Sequence, residues 1–166
     1  MAFKTVTITP SIPAGLYAEN DVLFNPTKLK LPGRGAKLIS AYAVDTQNQL
    51  NGDSVQLYFF QKNTNDLGTQ NDTADITDAE FRANQFVGAA NISGQSVSTT
   101  ALDNLTVKFG DTFADTGDSS PNPLGVPLSS IESGCAIYVA GIIDAVSTNP
   151  NFSVADSVDL VFGFEY

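Results

Sequence analysis

Two polar runs hold most of the groups in this chain that could do chemistry. "NTNDLGTQND" offers Asn63, Asn65, Asp66 and Asp72, and "DTFADTGD" offers Asp111, Asp115 and Asp118. Calcium takes six to eight oxygen ligands, and loops rich in Asp and Asn supply them. Neither run has the D-x-[DN]-x-[DN]-G spacing of a helix–loop–helix calcium site. Asx-turn hydrogen bonding to the backbone accounts for the same residues without a metal. Both readings stay open here, with no cofactor expected.

Catalytic constellations are hard to assemble from the remaining residues. The chain has no histidine, which removes His-based triads, the usual zinc sites and the usual switch near neutral pH. It also lacks a G-x-x-x-x-G-K-[ST] loop, a G-x-G-x-x-G turn and a G-x-S-x-G elbow. A glycosidase needs only two carboxylates. Glu80, however, falls where a helix start would use it as a cap, and Asp159 and Glu165 alternate with apolar residues on a strand and point outward. The one cysteine, Cys135, lies in "SGCAIYVAGII" and reads as a small buried hydrophobe. No catalytic residue is assigned, and an enzyme is not expected.

Charge narrows the partners. Eight cations against 18 acidic residues give a net charge of −10. That opposes general binding to nucleic acid and to anionic membranes, and no apolar run approaches the roughly 20 residues of a membrane-spanning helix. Half of the cations fall in "TKLKLPGRGAK", as Lys28, Lys30, Arg34 and Lys37. The segment reads as a solvated loop or as a docking patch for an acidic partner. The N-terminus lacks the apolar stretch of a secretory signal, which fits a protein made and assembled in the cytoplasm.

The elements that must position these residues are mostly strands. Four Glu stand against fourteen Asp, and Thr, Ser, Asn and Gly are abundant, a balance that favours turns over surface helices. "FKTVTIT" alternates as a first strand, with Val6 and Ile8 on one side. Pro10 and Pro13 then interrupt pairing, so residues 1–20 read as an extended N-terminal arm or first strand. "KLISAYAV" is a second strand and Asn51-Gly52 a tight turn. In "SVQLYFFQ", Val55, Leu57 and Phe59 share one face while Tyr58 and Phe60 share the other. Such a strand is buried on both sides or lies under a loop.

A long polar excursion follows, and then Thr77 and Glu80 form the capping box "TDAE". The helix is expected to run through "DAEFRANQF", directing Phe81 and Phe86 to the sheet and ending at Gly88. "NLTVKFG", "CAIYVAGII" and "SVDLVFGFEY" are later strands. "DTFADTGDSSPNPLGVPLSS" reads as a surface loop. With seven to nine strands, one short helix and no βαβ alternation, the 166 residues are expected to form a single domain. The fold class is all-β, an antiparallel β-sandwich of jelly-roll type.

The stretch "NDLGTQNDTADITDAEF" followed by "FVGAANIS" resembles a family of small structural proteins of tailed bacteriophages. Leu67–Asn71 matches its turn, Ile76–Ala79 its helix start, Ile137–Ala140 a "LYVA" strand and Leu160–Phe164 its closing strand. The likeness covers roughly Ser54 to Tyr166 and is a pattern of strands and turns rather than a catalytic signature. It implies a virion protein that decorates and cements the outside of the assembled head, binding the major capsid protein as a homotrimer. Under that reading Phe3, Val6, Ile8, Ile12, Leu16 and Tyr17 of the arm, with Lys28, Lys30, Arg34 and Lys37, are expected to contact the capsid. Asn63, Asn65, Asp66, Asp72, Asp111, Asp115 and Asp118 would lie in inter-subunit or exposed loops. The alternatives are a tail, neck or fibre-associated virion component, and a calcium-dependent carbohydrate-binding sandwich. Against the last stands the lack of Trp, the residue that stacks best on sugars.

Overall fold

The computed structural model describes residues 1–50, 53–93, 96–98, 106–109, 124–145 and 149–166. In chain order the elements are β1 (Phe3–Ile8), β2 (Gly15–Leu16), β3 (Val22–Lys30), β4 (Gly35–Asp45), β5 (Ser54–Phe60), α1 (Asp78–Ala83), β6 (Phe86–Ile92), β7 (Ser96–Ser98), β8 (Thr106–Phe109), β9 (Val126–Ser129), β10 (Ala136–Ala145), β11 (Asn151–Phe152) and β12 (Val158–Glu165). One sheet has the order β1-β12-β4-β8-β7, with β9 beside the far end of β4. The other has the order β3-β10-β5-β6, and β11 with β2 makes a small ribbon. Every strand ladder is antiparallel. Jelly-roll connectivity depends on the path between β6 and β9, much of which lies outside the described residues, as does the Asn51-Gly52 turn.

Period-two alternation explains how the sheets meet. From the six-stranded sheet, Leu38, Ala43, Leu160, Phe162 and Phe164 point inward; Leu29, Val55, Leu57, Phe59, Ile137 and Val139 answer from the four-stranded sheet. The Phe59 ring meets Phe162 edge-on at 6.0 Å between centroids, the favoured quadrupolar arrangement. Fully burying each such side chain contributes about 1.5–3 kcal/mol, so the two facing sheets form the sandwich that the alternation predicts. Close approach at the rim needs a missing side chain. A Cβ on Gly88 of β6 would sit 2.5 Å from Cγ1 of Val126 on β9.

Three expectations need correction. The segment "TKLK", expected in a solvated loop, is the end of strand β3, which also contains Pro26. The β3–β10 register shifts between Thr27↔Val139 and Phe24↔Gly141, so the proline occupies the irregularity where the ladder gives up a hydrogen bond anyway. The helix is shorter than its capping box suggested. It closes at Asn84, Gln85 takes φ 57°, and Gly88 lies inside β6 instead of capping the helix. Finally, "VPLS" within the second expected loop is strand β9, paired with Gly35–Leu38 of β4.

Candidate interaction site

The polar excursion begins where β5 runs out of inward-facing core. Phe60 points away from that core, and around it Val22, Leu67 and Ala140 are buried, with Tyr58, Ala74, Ile76, Phe81, Tyr138 and Ile142 packed against them. The few apolar residues of the excursion, Leu67, Ala74 and Ile76, thus keep water off the outer face of the four-stranded sheet. Phe81 from α1 meets Phe60 edge-on at 5.2 Å, and its ring lies tilted against Phe86 at 5.4 Å. Both faces of β5 are therefore used, one by the sandwich and one by the excursion and helix.

Two asparagine side chains pin the polar backbone above this second cluster. The fully buried Asn84 accepts from the N–H of Thr64 and Asn65 at 3.0 and 2.9 Å and donates to the Asn65 carbonyl at 2.7 Å. Asn25 accepts from the Leu67 N–H and donates to the Gly68 carbonyl, each at 2.8 Å. Further along, the Asn71 N–H donates to the Val22 carbonyl, the Val22 N–H to the Asp72 carbonyl, and the Ala74 N–H to the Asn20 carbonyl. The N–H groups of Asp75 and Ile76 both reach back to the Leu67 carbonyl. Gly68 permits the reversal: its φ is 148°, and a Cβ there would lie 2.7 Å from Oδ1 of Asp75. A segment that reads as loose is a closed Ω-like loop.

An open cleft of about 640 Å³ lies along this loop, lined among others by Asn25, Asn65, Asp66, Gln70, Asp75 and Glu80. Glu80 closes the capping box: its carboxylate accepts from the Thr77 hydroxyl and N–H, which hold it below the ordinary glutamate range. The lining can hydrogen-bond hydroxyl or amine groups. Among the described residues no three His, Cys, Asp or Glu side chains gather as metal ligands. Of the expected site residues, Asn65 and Asp66 line the cleft. Asn63 instead donates to the Pro26 carbonyl at 3.3 Å, and Asp72 caps the Thr73 N–H at 2.8 Å. Asp111, Asp115 and Asp118 lie outside the described residues.

The four clustered cations do not share one face. Lys28 and Lys30 are exposed on the outer side of β3, and Lys37 is exposed on the outer side of β4, which belongs to the other sheet. Arg34 stands in the turn between them. They wrap the corner where the chain crosses between sheets. Lys28 lies 4.0 Å from Glu132, whose other oxygen accepts from the Tyr138 hydroxyl at 2.8 Å. That bond is the main reason the Tyr138 phenol is pushed up from its usual range. Lys30, Arg34 and Lys37 have no carboxylate within 4 Å among the described residues.

The N-terminal residues divide sharply. Phe3 and Leu16 are exposed at 65% and 58%, while Val6 and Ile8 are half-buried against the core. Ile12 and Tyr17 are fully buried. Tyr17 meets Phe152 edge-on at 5.7 Å and donates to the Pro13 carbonyl at 2.9 Å. Burial, with the Asp21 carboxylate as a lesser cause, pushes its phenol up to about 12. The expectation that Ile12 and Tyr17 contact a capsid is corrected, because the folded chain spends both on its own core. Residues 3–8 form the first strand that their alternation predicts, paired with β12 throughout.

Sequence reasoning passed over Asn25, Asn84 and Gln70. Each acts across a long sequence separation, as when the Gln70 amide donates to the Ser11 carbonyl at 2.5 Å, and no local pattern marks such a residue. Cys135 is only half-buried and takes φ 56° in the turn before β10, a correction to its reading as a core residue. Comparison of the chain with protein-family models, with curated proteins and with solved structures finds no match in any of the three.

Proposed function

We propose that this chain is a virion structural protein that binds the outside of an assembled phage head and stabilises it by bridging capsid subunits. The observation that carries the reading is the construction of the excursion. The stretch that resembles phage structural proteins is fixed from below by Leu67 and from the side by Asn25 and Asn84. It presents a preformed polar surface, so docking it costs little ordering entropy. The cationic corner supports the same reading. Lys30, Arg34 and Lys37 form an exposed positive edge on a chain of net charge −10, suited to steering toward an acidic shell. Binding that favours the expanded lattice over its precursor would stabilise the expanded form by mass action.

Co-sedimentation with heads of the parent phage tests this directly. Purified protein is mixed with expanded heads and with unexpanded procapsids, beside a triple charge reversal of Lys30, Arg34 and Lys37 to Glu. Saturable binding to expanded heads that is weakened by the reversal supports head decoration. Absence of binding to both, with the protein recovered in tail fractions of disrupted virions, replaces it with a tail, neck or fibre role.

A second reading has the cleft in its favour. An open polar depression lined by amides and carboxylates suits a sugar's hydroxyl groups. A rise in melting temperature with a mono- or oligosaccharide panel, abolished by Asp66→Ala, would establish glycan binding. A flat response across the panel would remove it.

A further inference from the structure

Among the described residues, each edge of the two large sheets but one is guarded. The first half of β3 is covered by the excursion through the Val22–Asp72 and Asn71–Val22 hydrogen bonds, and its second half carries Lys28 and Lys30. Strand β7 is three residues long, and β6 runs against β9 at Gly88. Strand β1 is different: six residues, no proline, no register shift along its whole ladder with β12, and Lys4 as its one charge. Long, flat edges of this kind invite pairing with another chain, and proteins ordinarily blunt them.

The ladder also fixes which backbone groups are free. Ala2 and Tyr166 exchange both hydrogen bonds, each at 3.0 Å, so Ala2 points its N–H and C=O toward β12. In an unshifted antiparallel ladder that direction alternates. Lys4, Val6 and Ile8 therefore bond to β12, while Phe3, Thr5 and Thr7 turn their N–H and C=O outward. The side chains of Phe3, Thr5 and Thr7 are all exposed, as is that of Lys4, while Val6 and Ile8 are half-buried.

We propose that the free edge of β1 pairs antiparallel with β1 of a second copy, about a two-fold axis at Thr5, joining two six-stranded sheets into one. The register follows from the free groups. Phe3 lies opposite Thr7 of the second copy, Thr5 opposite Thr5, and every outward N–H and C=O of the three residues gains a partner. The edge is complementary to itself. Exposed Phe3 is covered by a threonine, Thr5 makes a favourable threonine–threonine cross-strand pair, and Lys4 falls opposite Val6 rather than opposite its own copy. The pairing also places a cation-bearing edge, not an acidic one, at the contact between two chains of net charge −10. The inference is independent of the virion reading.

The test is sedimentation velocity across micromolar to sub-millimolar concentration on the wild type, Thr5→Lys and Thr5→Pro. Both substitutions spare the β12 ladder, since Thr5 sends no hydrogen bond to it, and circular dichroism checks that the fold is kept. Lysine at this position sets like charges across the two-fold, and proline removes a bonding N–H. The expected result is a wild-type dimer whose dissociation constant rises roughly tenfold or more in either variant. Cysteine placed by Thr5→Cys in a Cys135→Ser background is expected to oxidise to a disulfide dimer, because directly opposed residues of a hydrogen-bonded pair sit about 5.5 Å apart at Cα. The same change at Lys28 is expected to give none. A wild type that stays monomeric throughout, a trimer, or a dimer indifferent to both variants would each overturn the proposal.

Discussion

The N-terminal segment and the polar excursion each behave opposite to what their sequences suggest. The excursion is rich in Asn, Asp and Thr, yet nine of the thirteen backbone N–H groups from Thr64 to Ile76 donate to a partner. The N-terminal segment has a good strand pattern, yet half of β1's hydrogen-bonding groups point away from β12 and have no partner among the described residues. What separates them is the surface beneath. The excursion lies over an apolar sheet face that has to be covered, so three apolar residues, the buried amide of Asn84 and the half-buried amide of Asn25 suffice to fix it. Strand β1 lies at a rim where only Val6 and Ile8 find core.

Substitutions within the N-terminal segment would sharpen this contrast most. Tyr17→Ala is expected to cost about 3–5 kcal/mol in urea unfolding, the loss typical of a buried aromatic, while Phe3→Ala in the same segment should stay within about 0.5 kcal/mol. Equal losses at the two positions would mean that the division between buried and exposed halves is drawn in the wrong place. Asn84→Ala comes next. It strands two N–H groups and a carbonyl, at about 2–4 kcal/mol, against a negligible effect for Asn63→Ala with its single long bond. If Asn84→Ala were as mild as Asn63→Ala, the excursion would not be pinned from the side.

Smaller effects probe the same two regions. Thr77→Ala removes the capping box beside the excursion and should cost about 1 kcal/mol; a null result would put the helix start elsewhere. Tyr17 gives a pH signature. Its phenol titrates at about 12 when folded against 10.0 when free, so the unfolded chain loses its proton first. The stability this contributes is complete below pH 10 and lost as pH rises toward 12. Tyr17→Phe should therefore fall less steeply than the wild type on that limb, and parallel alkaline limbs would contradict the burial of the hydroxyl.

Much of the fold was legible because local pattern and tertiary role agreed. The two faces of "SVQLYFF", the capping box at Thr77 and Glu80, and the alternation of Val158, Leu160, Phe162 and Phe164 all appear as read. Strand β3 was hidden by Pro26 and two lysines. The proline is tolerated because the ladder is already irregular there, which only the partner strand reveals. The helix end was misjudged because Gln85, not a glycine, takes the left-handed turn. Asn65 and Asp66 could be nominated for the cleft from composition. Its organisers could not, since Asn25 and Asn84 are ordinary asparagines until the chain brings them to the loop.

Residue-resolved amide hydrogen exchange tests the central claim, that the excursion is a preformed surface rather than a loose loop. In dilute protein, the amides of Thr64, Asn65, Leu67, Asn71, Ala74, Asp75 and Ile76 should be strongly protected, while those of Phe3 and Thr7 exchange near the free rate. Protection in the excursion no greater than at Phe3 would contradict the account and remove the support on which the docking function rests.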